Sequence, residues 1–337
     1  MRRFKIHSSY NLRGGADAMH MTCGALTELG HYAAIVYDPA ADSLPILEPY
    51  ATRYGIVHRE TRKDNKDEPD TVQMIPAGWG PNWYQYAPDT PSCLKFEGDN
   101  NYKSTKIMCW LGLGIWQDWS IEKNMPVDVH HPNLQLSFHA CGSQRAYDFL
   151  ANSGIIPHNK IFFLRDYTNP IFIHDEDYLQ SIAHAKENIV LYNPTKGMEN
   201  TQKLMSICGD LRFVPLIDMT HEQMREWGLK SKVYIDFGPF GGREKAHREM
   251  AGCGCTIITG DEGASANPID VPNGRRKFPR FAGHYDYVAI REQIRYDLNH
   301  YGSAMNEPHM VEYRAGVRRE REVFFSDIRV MLDILGL

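Results

Sequence analysis

Apolar residues run along this chain in short stretches separated by polar turns that carry glycine, and their spacing alternates between the strand and helix periods. Residues 5–8 read as a short strand, YNLRGG as a turn, and residues 16–29 as a helix with Met19, Cys23, Leu26 and Leu29 at helical spacing before Gly30 and His31 stop it. A second strand follows at residues 33–37. Strand, glycine turn, helix and strand in this order open a βαβ unit, and with it a mostly parallel sheet covered by helices. Further on, residues 106–113 predict a buried strand, and residues 133–139 a strand in which Leu134, Leu136 and Phe138 alternate at period two. Residues 143–154 then predict a helix and residues 160–164 another strand.

Pro170 and clustered polar residues break the pattern in RDYTNPIFIHDEDY, residues 165–178, which marks an interdomain crossing. After it the alternation restarts, with strands at 188–192, 212–215, 232–237 and 255–259 and helices at 198–208, 220–229 and 244–251. Thr220 and Gln223 stand at capping-box spacing at the start of one of these helices. The expected organisation is an α/β chain of two Rossmann-like halves: residues 1–165, a linker at 166–187, a second domain at 188–290, and C-terminal helices at 291–337. That last stretch is long and charged, and is expected to cross back over both halves.

A chain of 337 residues with 42% hydrophobic and 23% charged residues has ample material for two cores, which excludes wholesale disorder and repeat arrays. The net charge of -5 disfavours a protein that coats nucleic acid or an anionic membrane by bulk charge. No apolar run reaches the ~18 residues of a membrane-spanning helix, and the expected location is the cytoplasm. The 7 cysteines are odd in number and scattered, unlike a secreted disulfide framework, so reduced thiols are expected.

Candidate chemistry gathers at two glycine turns. In RGGADA, Gly14 and Gly15 lie between a strand and a helix, where bare backbone and a helix N-terminus suit an anion; paired glycines at such turns also serve plain backbone geometry. In DFGPFGGREKAHREM, Gly238, Gly241 and Gly242 follow a strand, Arg243 and Lys245 stand at the loop's exit, and Glu249 lies in the helix. Backbone N–H groups and two cations suit a diphosphate, while a carboxylate suits sugar hydroxyls. No G-K-[ST] follows the glycines, which disfavours a P-loop ATPase. Lys196 in YNPTKG occupies the corresponding turn of an earlier strand and offers a point charge to the same phosphates.

Both segments resemble the GT-B-fold glycosyltransferases of the large family 4-like group. GGADAMHMTCGALTELGHYAAIVY is similar to that group's GGAE-helix-GH-strand opening, and KVYIDFGPFGGREKAHREMAGCGCTIITGDEGAS to its donor segment, with Glu249 at the E-A-M-A-x-G-like position. FHACGSQRAYDFLANSGI and VLYNPTKGMENTQKL extend the resemblance to about two-thirds of the chain in pattern. The group's donor motif carries a second glutamate eight positions earlier, where this chain has Gly241. In retaining members that acid helps to position the transferred sugar, so donor identity and stereochemistry stay open.

The resemblance implies transfer of a sugar from a nucleotide-sugar donor, bound mainly by the second domain, to a saccharide or glycoconjugate acceptor held mainly by the first. Lys196, Arg243 and Lys245 are then expected to stabilise the leaving diphosphate, with Gly14, Gly15, Gly241 and Gly242 as close-approach backbone and Glu249 on donor hydroxyls. Negative charge grows on the departing phosphate as the sugar becomes oxocarbenium-like, so fixed cations and backbone donors are the main catalytic device. The expected enzyme needs no metal and no cofactor beyond the nucleotide sugar as co-substrate. Asp17, His20 and Asp118 are candidates for the general base of an inverting transfer; a first-turn acid such as Asp17 also complements a helix N-terminus. Trp79, Trp83, Tyr84 and Tyr86 are candidates for stacking on acceptor sugars or for covering a core. Alternatives are a glycosyltransferase acting on modified DNA, which the acidic total disfavours as a nucleic-acid partner, a nucleotide-sugar epimerase, and a silent nucleotide-sugar or glycan-binding module.

Other constellations carry plainer readings. Asp175, Glu176 and Asp177 form a D-x-D but precede a helical pattern and read as capping. His130, His131, His139 and Cys141 lack the spacing of a closed zinc site. Cys253 and Cys255 read as small buried residues, and residues 313–325 as a helix with a charged face.

Overall fold

The computed structural model describes residues 2–61, 68–77, 103–112, 135–238 and 240–337. The chain divides into two compact units, Met1–Asp166 with Val323–Leu337, and Tyr167–Glu322.

In the first unit six strands form one sheet: β1 (Arg3–Ser8), β2 (Tyr32–Tyr37), β3 (Thr71–Pro76), β4 (Thr105–Trp110), β5 (Phe138–Cys141) and β6 (Ile161–Phe163). Their order is β2-β1-β3-β4-β5-β6, and every neighbouring pair is parallel. The helix α1 (Gly14–Glu28) crosses from β1 to β2, α2 (Glu48–Tyr54) lies between β2 and β3, and α3 (Gln144–Asn152) joins β5 to β6. Parallel strands covered on both faces are buried throughout, and YAAIVY of β2 accordingly reads as a continuous apolar run.

Local chemistry ends these elements where the sequence predicts. Gly30 takes φ 83°, its N–H donates to the Thr27 carbonyl and the His31 N–H to the Leu26 carbonyl, a Schellman closure of α1. The Ser143 hydroxyl accepts from the Ala146 N–H at the start of α3. At Gly24 a Cβ would lie 2.4 Å from the Tyr54 carbonyl oxygen, so the backbone of α1 approaches the end of α2 closely there.

The alternation expected over residues 133–139 does not make a strand of that extent. Leu136 is exposed, β5 starts only at Phe138, and it continues to Cys141 as an interior strand buried on both faces, where period two carries no information. In this unit two elements escape the sequence reading, α2 and β3. TVQMIP of β3 is a six-residue apolar run broken by Gln73, whose side chain is buried against His7 at 2.7 Å.

In the second unit β7 (Glu187–Tyr192), β8 (Arg212–Pro215), β9 (Ser231–Asp236), β10 (Thr256–Gly260) and β11 (Lys277–Phe278) form a parallel sheet in the order β11-β10-β9-β7-β8. The helices are α4 (Glu176–Ile182), α5 (Met198–Ile207), α6 (His221–Lys230), α7 (Lys245–Gly252), α8 (Tyr287–Asn299), α9 (Tyr301–Met305) and α10 (Pro308–Ile334). One core packs Leu191, Tyr234, Met250, Ile257 and Met310, and another packs Val190, Ile235, Ile258, Ile290 and Ile294. Thr220 and Gln223 form the capping box of α6, and Asp175 caps α4 through the Tyr178 N–H at 2.7 Å. The first acid of the D-x-D is therefore a helix cap, and Glu176 pairs with Arg314 and Arg318. Lys186 is buried with its ammonium on the carbonyls of Gly228, Ser231 and Cys253, which gathers chain ends that helix geometry leaves unpaired.

The helix α10 leaves the second unit, and its residues from Val323 onward belong to the first. There Asp327 holds Arg165 through two guanidinium bonds of 2.9 and 2.7 Å. The charged C-terminal stretch is thus the segment that crosses back. Among the described residues no helix is long and apolar enough to cross a membrane.

Candidate active site

The order of the second sheet reverses direction between β7 and β9, and a doubly wound sheet opens its ligand crevice at the carboxyl ends of such a pair. The strand β7 ends at Tyr192 and runs into NPTKG; β9 ends at Asp236 and runs into the second glycine loop. Both turns singled out in this half of the sequence therefore meet here. Asn193 folds the first turn by accepting from the Thr195 N–H at 2.9 Å. Gly197 has φ 62°, and a Cβ on it would lie 2.5 Å from the carbonyl carbon and oxygen of Phe237. A Cβ on Gly238 would lie 2.5 Å from the Cβ of Lys196. Each loop presents a glycine to the other, which fixes Lys196 over the end of β9. Its ammonium lies 5.7 Å from the Phe240 ring centroid and is ion-paired with Glu244.

Arg243 is held differently. It is ion-paired with Glu320 of α10, a carboxylate only 4% exposed that also receives Arg248 at 2.9 Å and both the N–H and the hydroxyl of Thr168 at 2.8 Å. Arg248 is buried as well and donates to the Arg243 carbonyl. The Arg243 guanidinium is thereby fixed at the loop's exit. Lys245 begins α7, and Glu249 lies within it, buried. Gly241 and Gly242 are half-buried in the loop between Phe240 and Arg243.

Beneath the loop, Asp236 accepts from the Gly238 N–H at 3.2 Å and from the Tyr234 hydroxyl at 3.1 Å. His247 of α7 lies 3.5 Å from the same carboxylate, fully buried, edge-on to the Phe240 ring. Burial, with the Asp236 carboxylate beside it, pushes the Tyr234 phenol well above its usual range, so its hydroxyl stays a donor. The sequence reading misses Asp236, Glu244, His247 and Glu320. The first three stand inside the motif already noticed, while Glu320 is distant in sequence and carries no local signal.

In the first unit Gly14 and Gly15 open α1, whose N-terminus has no side-chain cap. Asp17 in its first turn accepts from the Tyr54 hydroxyl at 2.6 Å and lies 3.7 Å from Arg53. It therefore ties α1 to the end of α2. His20 has no exposed surface. Its Nδ1 lies 2.7 Å from the Ala16 carbonyl, which can only accept, so Nδ1 carries the proton and Nε2 accepts from the Tyr37 hydroxyl at 2.8 Å. With both nitrogens engaged, His20 braces α1 against β2 and is enclosed, contrary to what a base open to an acceptor requires. Asp118, Trp79, Trp83, Tyr84 and Tyr86 lie outside the described residues.

Burial lowers the His20 imidazole to about 4. Because the folded value lies below the unfolded one, the unfolded chain binds more protons between the two, and folding stability is full above the ordinary histidine value and falls as the pH drops towards 4. The loss attributable to His20 is at most about 3 kcal/mol. Urea unfolding between pH 7.5 and 4.5 should show this slope for the wild type and a shallower one for His20→Leu; parallel slopes would remove His20 as its source.

The histidine and cysteine set is ordinary packing where it is described. His139 accepts from the Trp110 indole at 2.9 Å and Cys141 is buried, while His130 and His131 lie outside the described residues. Among the described residues no group of three or more His, Cys, Asp or Glu stands together as a metal site. Cys253 and Cys255 are buried free thiols that face backbone carbonyls.

No protein-family model matches the sequence, and no curated protein matches it. Solved structures do match over the whole chain. HepE from Anabaena, crystallised with UDP and glucose, aligns at a TM-score of 0.64 with 11% identity over 99% of this chain and 100% of its own. Sucrose-phosphate synthase from Thermosynechococcus elongatus aligns at 0.63 with 12% identity over 100% and 99%. A Listeria monocytogenes protein assigned as a UDP-N-acetylglucosamine 2-epimerase aligns less well, at 0.53 with 13% identity over 98% and 95%. With two parallel, doubly wound units and a final helix that returns to the first, this chain has the GT-B fold.

Proposed function

We propose that this chain is a glycosyltransferase that moves a sugar from a nucleotide-sugar donor to a saccharide or glycoconjugate acceptor, in the cytoplasm and without a metal ion. The observation that carries this reading is the junction of the two glycine loops at the carboxyl ends of β7 and β9, with Lys196 and Arg243 beside it. The fold shared with HepE, which was crystallised with UDP and glucose, makes uridine nucleotides the first donors to test.

Lys196 supplies a point charge to the departing diphosphate, and Arg243 a guanidinium whose position Glu320 has set in advance. Lys245 and the backbone of Gly241 and Gly242 complete that anion site, and Glu249 takes donor hydroxyls. For an inverting transfer, the base is assigned to Asp17, beside the glycine turn of the first unit, in preference to the enclosed His20. Trp79, Trp83, Tyr84 and Tyr86 are assigned to the acceptor. Glu249→Gln should lower kcat/KM by about 10- to 100-fold while the folded state is kept, because it removes a charge-assisted bond without changing side-chain volume. Unchanged kinetics would remove Glu249 from the donor site.

A thermal-shift panel of UDP, GDP, ADP, CMP and dTDP with their sugars, each in chelator and in divalent metal, tests the reading. A ligand that binds only the folded state raises its stability by about 2.7 kcal/mol at a hundredfold excess over Kd. One nucleotide series should shift the melt in chelator, and Lys196→Ala should remove most of that shift. Absence of a shift with every nucleotide would end the donor-site reading. Incubation of the stabilising UDP-sugar without acceptor should leave the sugar unchanged, whereas interconversion would make the chain an epimerase.

A further inference from the structure

Two of the cations beside the glycine loops, Lys196 and Arg243, are paired with carboxylates, but the pairs are built differently. Glu320 is buried and receives four donors, so Arg243 is clamped. Glu244 is 22% exposed and its partner Lys196 41%, so water reaches the pair. Glu244 stands at the N-cap of α7 with an extended backbone, yet its side chain makes no capping bond and goes to Lys196 instead. The short side chain of an N-cap aspartate turns to its own helix N–H groups, whereas the longer one of Glu244 reaches past them. Here it is turned to the ammonium that the glycine junction presents to a diphosphate.

We propose that Glu244 is a displaceable internal counter-ion, which occupies Lys196 in the ligand-free protein and gives it up to the diphosphate of an incoming nucleotide. This rests on the donor-site reading above and adds a residue that tunes affinity in that site. The physical basis is competition for one ammonium. A partly exposed carboxylate pair is weak because solvent screens it, whereas a diphosphate brings more charge and more acceptor oxygens. The carboxylate left behind repels the phosphate it has made way for. Glu244 therefore lowers nucleotide affinity, and it does so through Lys196 and not through Arg243.

Calorimetric titration of the whole chain with UDP tests this in the wild type, Glu244→Gln, Glu244→Ala, Lys196→Met and Arg243→Ala, and in Glu244→Gln combined with each cation variant; the other nucleoside diphosphates follow if UDP does not bind. Glu244→Gln and Glu244→Ala should tighten binding about 1.5- to 5-fold, the range set by a partly exposed ion pair. The gain should persist beside Arg243→Ala and shrink beside Lys196→Met. If a nucleotide binds the wild type and Lys196→Met weakens it, but both Glu244 variants bind it equally or less well, the counter-ion role is overturned while the donor site stands. If neither the wild type nor the Glu244 variants bind any nucleoside diphosphate, the donor site itself is refuted.

Discussion

Glu320→Gln should destabilise the second unit by about 3–5 kcal/mol, because it takes away the buried negative charge that the Arg243 and Arg248 guanidiniums share. The exchange also turns an amide N–H₂ toward groups that are all donors: Arg243, Arg248, and the N–H and hydroxyl of Thr168. For a unit of this size the melting temperature should fall on the order of 10 °C. Differential scanning calorimetry checks it, and a change within about 2 °C, less than a 1 kcal/mol loss gives, would show that the network is solvated in solution. Glu320→Leu combined with Arg248→Met should recover part of the loss, since an apolar pair of similar volume carries no desolvation penalty. Arg243 would stay unclamped in that double variant, so nucleotide binding should remain weakened even where stability returns.

Gly197→Ala should be the most damaging single-methyl change in the candidate site. Alanine at φ 62° costs about 1–2 kcal/mol in backbone strain. Its methyl would also press on the Phe237 carbonyl and the Gly238 nitrogen, which are main-chain atoms and cannot rotate aside. Overpacking of this kind adds about 1–3 kcal/mol. Relief requires the two glycine loops to part, which carries Lys196 away from the end of β9. Urea unfolding should therefore show a loss of about 2–5 kcal/mol, and UDP affinity should fall at least about tenfold. Stability within about 0.5 kcal/mol of wild type, the range of an unremarkable surface change, would mean that the loops already stand further apart.

Much of the second unit is legible from local patterning. Its strands are short apolar runs bounded by turn residues, and Thr220 with Gln223 and Asp175 with Tyr178 cap the helices that their spacing announces. The first unit is less legible. The strand β3 follows a run of mixed charge, α2 is only seven residues long, and β5 is buried on both faces, so neither length nor period marks them. His20 shows the same boundary at a single side chain. Its place beside a glycine turn gives it the look of a base, and only the packing of α1 on β2 turns its two nitrogens inward.

Local sequence is enough to set the alternation of strands and helices, the two glycine turns, and the residue types at the second of them. Those properties follow from neighbours within a few positions, where propensity, capping and turn geometry act. Which turns meet depends on the sheet order, which brings residues 193–197 against residues 237–238 across the reversal between β7 and β9. The partners of the cations are a tertiary matter too, because Glu320 reaches Arg243 from a helix 77 positions away. A charge in the sequence is only a charge; whether it is clamped, exchangeable or enclosed depends on the burial and the donors that distant chain brings to it.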